Sequence, residues 1–142
     1  MATSNAATTY LENKLLSFLF KNNAGSLSTP GDSIYVGLAT AVSDAEAGSL
    51  TEATFGSYAR QQVTASNWTL TSASADQQTI KNAANIEFPA STGTSNTITH
   101  AFIVDAASSG NILFIGALDA SKTIATGDIF RINTNNLTIE LK

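Results

Sequence analysis

The sequence predicts an all-β fold, an antiparallel β-sandwich of jelly-roll-like kind with one N-terminal amphipathic helix. Three observations carry that reading. Short segments of alternating or continuous apolar residues recur along the chain, divided by clusters of Gly, Asn and Ser. Thr, Val and Ile are abundant, and their stiff branched side chains suit a pleated surface. Helical spacing is convincing in a single stretch, near the start of the chain.

Taken in order, residues 1–8 are small and uncharged and read as an arm, flexible or lying on a neighbour. Residues 9–142 read as a single β-sandwich domain that includes a helix over residues 9–21. Thr9 and Glu12 have capping-box spacing, so hydroxyl and carboxylate can each satisfy an exposed amide. Leu11, Leu15, Phe18 and Leu19 then form one apolar face. Lys21 suits the negative end of the helix dipole, and Asn22-Asn23-Ala24-Gly25 is a stop signal. The apolar face has two readings: packing over one end of a sheet, or docking a partner subunit.

The first clear strand is Ile34 to Thr40. Residues 41–57, with Gly48, Gly56 and several acids, read as a long loop. Tyr58 to Ala65 and Trp68 to Thr71 read as strands, the second with Trp68 and Leu70 on one face. Ile80 and Ile86 to Phe88 mark further strand segments, stopped by Pro89. In the next strand Ile98, His100, Phe102 and Val104 share a face. Ile112 to Leu118 is nearly continuous apolar, as in a central strand covered on both faces. Ile129 to Ile132 and Leu137 to Leu141 complete the set, with Leu137, Ile139 and Leu141 facing inward. The expected core is Val36, Leu38, Phe102, Val104, Leu113, Ile115, Ile139 and Leu141.

Composition narrows the chemistry. The 142 residues include 22 Ala, 19 Thr, 16 Ser and 12 Asn, while charged residues make up 13%. With no Cys and one His, the chain cannot build a disulfide framework, a thiol nucleophile or a zinc site of its own. Seven basic against eleven acidic residues give a net charge of −4, which argues against a phosphate-tracking surface and so against nucleic acid as partner. No apolar run approaches the roughly 18–20 residues of a membrane span, so no membrane is expected. The start lacks the basic and apolar regions of a signal peptide, so synthesis in the cytoplasm is expected.

Tests for catalysis fail in turn. His100 lies within an alternating strand, and no G-x-S-x-G elbow is present. Asp44, Glu46 and Glu52 lie together in the 41–57 segment, but nothing near them would raise a carboxyl into the range of a general acid. They also lack calcium-loop spacing, and no phosphate-cradling Gly loop occurs. No catalytic residue, cofactor or metal is therefore expected, nor an enzyme. Trp68, flanked by Ser66-Asn67 and Thr69, is the aromatic that a carbohydrate-binding reading would use. Arg60, one of two Arg, has two readings: tied to Glu52, to Glu87 or to an acid on a neighbour, or exposed and solvated.

An ordered series of motifs adds a resemblance. It includes Tyr10-Leu11-Glu12-Asn13, Tyr35-Val36-Gly37-Leu38-Ala39-Thr40, Tyr58-Ala59-Arg60-Gln61 and Ile86-Glu87-Phe88-Pro89. Thr97-Ile98-Thr99-His100, Gly110-Asn111-Ile112-Leu113-Phe114-Ile115-Gly116, Gly127-Asp128-Ile129-Phe130 and Leu137-Thr138-Ile139 follow. From Tyr10 to Leu141 the chain resembles a family of small structural proteins of tailed bacteriophages, cyanophages included, often labelled tail-fibre-like. The resemblance implies a virion component. The compact length, without a heptad run or shaft repeat, favours a capsid decoration (cement) protein bound to the major capsid protein and stabilising capsomer contacts. A tail, neck or fibre-associated subunit with receptor or glycan binding is the alternative. A homotrimer is expected, with candidate subunit contacts at Tyr10, Leu11, Leu15, Phe18, Leu19, Arg60 and Trp68.

Overall fold

The computed structural model describes residues 6–21, 34–74 and 77–141. Strand β1 is Ala6–Ala7, and helix α1 is Thr9–Phe20. Strands β2 (Tyr35–Asp44), β3 (Ser49–Glu52), β4 (Gln61–Gln62), β5 (Trp68–Ser74), β6 (Gln77–Asn82) and β7 (Ile86–Glu87) follow. Then come β8 (Asn96–Val104), β9 (Ile112–Ile124), β10 (Arg131–Ile132) and β11 (Thr138–Leu141). All pairings are antiparallel. A six-stranded sheet has the order β1-β9-β8-β2-β3, with β4 also paired to β2. A three-stranded sheet, β11-β6-β5, and a ribbon of β7 and β10 accompany it. The chain is an all-β fold of layered antiparallel sheets with one helix near its N-terminus.

Two apolar clusters hold the layers. Val36 and Leu38 point from β2 to one face, where they meet Phe55, Val63, Ile86, Phe88, Phe130 and Ile132. Gly37 and Ala39 point to the other face, where Phe102, Val104 and Ile115 gather with Ala45. The strands buried on both faces are thus β2 and β8, whereas of the 112–118 run only Ile115 is fully buried. That corrects the expected role of Ile112 to Leu118. The strand β9 pairs with β8 along one edge, but β1 covers the other edge only beside Phe114 and Ile115. Of the expected core, Val36, Leu38, Phe102, Val104 and Ile115 are buried, and Leu113 and Ile139 are half-buried. The side chain of Leu141 lies outside the described residues.

The periodicity of β8 is also corrected. Ile98 belongs to the first cluster, and Phe102 and Val104 to the second. The ladder is irregular between them: Ile98 faces Lys122 and His100 faces Ala117. An irregularity of this kind interrupts strict alternation and sends flanking side chains to opposite faces.

Segment 41–57 contains a hairpin rather than a loop. The strand β2 runs on to Asp44, and β3 returns beside it. The turn closes with Ala47 N donating to Asp44 Oδ1 at 3.1 Å, and with Gly48 at φ 69°. Conversely, the expected strand over Tyr58 to Ala65 shrinks to Gln61–Gln62, the two residues that pair with Val36 and Tyr35 of β2.

Two further corrections concern the N-terminal end. Ala6 and Ala7 pair with Ile115 and Phe114, and Thr8 is buried, so the end of the expected arm is part of the fold. Residues 1–5 and the stop signal at 22–25 lie outside the described residues. The helix cap is Thr8, whose Oγ1 accepts from Leu11 N at 3.4 Å, not Thr9. The helix ends at Phe20, with Lys21 as the capping residue. No residue of α1 is fully buried; Leu11, Lys14 and Ser17 are half-buried, and the helix meets the sheet beside β9.

Candidate interaction surface

The surface is built from the root of α1 outward. Thr8 N donates to Leu113 O at 2.9 Å, and Thr8 Oγ1 donates to Ile112 O at 2.6 Å. Thr9 N donates to Glu46 O at 2.8 Å in the β2–β3 turn. The first turn is therefore fixed to two elements of the β fold. Beyond it the helix stands out from the sheet. Tyr10, Leu15, Leu16, Phe18, Leu19 and Phe20 are all exposed, Leu16 at 55%, Leu19 at 59% and Phe20 at 78%. Leu11 is half-buried. A 12-residue helix is marginal in water by its own propensity and depends on packing an apolar face. An apolar patch of this kind marks an interaction site.

Five of the predicted contact residues, Tyr10, Leu11, Leu15, Phe18 and Leu19, thus lie together on α1. Lys14 Nζ sits 5.5 Å from the Tyr10 ring centroid. Sequence reasoning missed Leu16 and Phe20, which widen the apolar face beyond one stripe. Their signal was present: all five residues of 15–20 other than Ser17 are large and apolar, more than a single helical stripe holds.

Arg60 lies elsewhere and is used within its own chain. Its Nε and Nη2 donate to Glu52 Oε1 and Oε2, each at 2.8 Å, a bidentate pair. Its Nη1 donates to Ala106 O at 2.9 Å and Ser109 O at 2.7 Å. The guanidinium also lies 5.4 Å from the Phe102 ring centroid, and the side chain is only 9% exposed. Tyr58 extends the network, its hydroxyl donating to Glu52 Oε1 at 2.8 Å and accepting from Leu38 N at 2.9 Å. Burial alone raises the Glu52 carboxyl. Hydrogen bonds from Arg60 and Tyr58, with the guanidinium charge, outweigh it and hold Glu52 below the ordinary carboxylate value. Burial, against a smaller opposing effect of Leu38 N–H and helped by Glu52, pushes the Tyr58 phenol far up. The hydrogen bond to Glu52 raises Arg60. This set locks the β3 end to the loop after β8 and holds no poised proton donor.

Trp68 packs half-buried against the first cluster, with Nε1 donating to Val63 O at 3.4 Å. Its strand neighbour Leu70 is 70% exposed. His100 Nδ1 lies 2.8 Å from Thr99 Oγ1, while Nε2 is buried without a hydrogen-bond partner. Burial lowers its pKa. Among the described residues, no three His, Asp or Glu side chains gather as a metal ion would require.

One concavity stands out, a cleft of about 1230 Å³ between the β8–β9 face and the chain from Ile129 to Glu140. Its floor includes Phe114, Gly116 and Leu118, and Leu137 and Ile139 form part of its wall. A Cβ added at Gly116 would meet nothing within 4 Å, so the floor is open at that point.

A β scaffold with an exposed apolar helix at a fixed root is the anatomy of a protein that works by contact. The chain belongs to the family described as podophage GP4 fiber I protein gp80, whose model matches residues 6–140. It is a bacteriophage virion structural protein of a fibre-like family. No curated protein matches the chain.

Proposed function

We propose that the chain is a fibre-associated virion subunit that attaches to its neighbours through α1 and has no catalytic role. The observation that carries this is the helix itself: six large apolar side chains on α1 are exposed and none is buried. The fibre placement is supported by the description of the family. Self-association as a homotrimer fits a subunit that repeats in the particle.

The test is substitution of Leu16→Glu together with Leu19→Glu. Both side chains are exposed, so the β core should fold unchanged, as circular dichroism and melting will read. Incorporation into phage particles should fall at least tenfold. Unchanged occupancy would sink the reading.

Decoration of the head, in contact with the major capsid protein, is the second reading. It is supported by the absence of any shaft repeat in the 142-residue sequence. Copy number per particle separates the two: hundreds for a head-wide decoration, few for a tail fibre.

A further inference from the structure

We draw no further inference here: the strongest candidate, the uncharged outer edge of the three-stranded sheet at β5, where Leu70 is 70% exposed between Thr69 and Thr71, carries nothing because nothing in the structure shows what covers it.

Discussion

Gly37 shows how a single residue sets the spacing of the central strands. It faces Phe102 across the β2–β8 ladder, and a methyl group here would overlap the Phe102 ring. Gly37→Ala should cost about 1–3 kcal/mol through overpacking, read as a lowered urea midpoint. A Gly37→Ala/Phe102→Leu pair should recover part of that loss. Arg60 acts across a longer span, holding Glu52 and the carbonyls of Ala106 and Ser109. Removing one partner of a buried pair costs ~3–5 kcal/mol. Glu52 remains partly solvated, so Arg60→Ala should cost about 2–3 kcal/mol. Two groups add a pH dependence with the same sign. Glu52 has a depressed pKa in the fold, so its contribution is present above the ordinary carboxylate value and is lost as pH falls toward the folded one. His100 also has a depressed pKa, so below the ordinary His value the unfolded chain binds the proton first and the fold loses stability. Stability should therefore fall on acidification, beginning near pH ~6.5. The slope above pH ~5 should vanish in His100→Gln, as urea titrations across that range will show.

At the scale of elements, what the sequence discloses depends on where each signal is stored. The helix was legible because Leu11, Leu15, Phe18 and Leu19 carry its period locally. Its cap was off by one residue because two adjacent Thr are equivalent in sequence. The pairing of Ala6 and Ala7 with β9 decides between them, since it brings Thr8 against Ile112 and Leu113. The strands β2 and β8 were legible from their β-branched and aromatic residues. The β2–β3 hairpin was not, because Ala41, Ser43 and Asp44 are weak strand formers and become strand only through cross-strand pairing with β3. The aromatic row of Phe55, Tyr58, Phe88 and Phe130 was equally hidden. Its members come from segments outside the long strands and meet only in the fold, with ring centroids 5.2–6.1 Å apart. The α1 part of the candidate surface could be read in advance, while the cleft could not, since its depth is a distance between layers. As an element, α1 should also be separable from the rest. Leu16→Glu/Leu19→Glu should shift the melting temperature by no more than about 1–2 °C, since exposed substitutions stay within ~0.5 kcal/mol.

For the whole molecule, the low charge that first excluded nucleic acid also shapes assembly. Charged residues make up 13% of the chain, and the described ion pairs, Arg60–Glu52 and Arg131–Glu87, both lie within one copy. Contacts between copies made by an apolar helix and neutral polar surface are screened little by salt. Self-association should therefore persist at ~1 M salt, where the screening length is ~3 Å. Light scattering across a salt series checks this, and dissociation with rising salt would point to ion pairing instead.

The root of α1 has a mechanical meaning. A particle component that is held by its helix receives part of every pull at Thr8 and Thr9. From there the load divides, one part passing into β9 through Ile112 and Leu113, the other into the β2–β3 turn through Glu46. Those two paths rejoin in the six-stranded sheet, where β9, β8, β2 and β3 are consecutive neighbours. Tension on the tether is thus spread across four strands, so the joint between copies should slip before the domain that carries it begins to unravel.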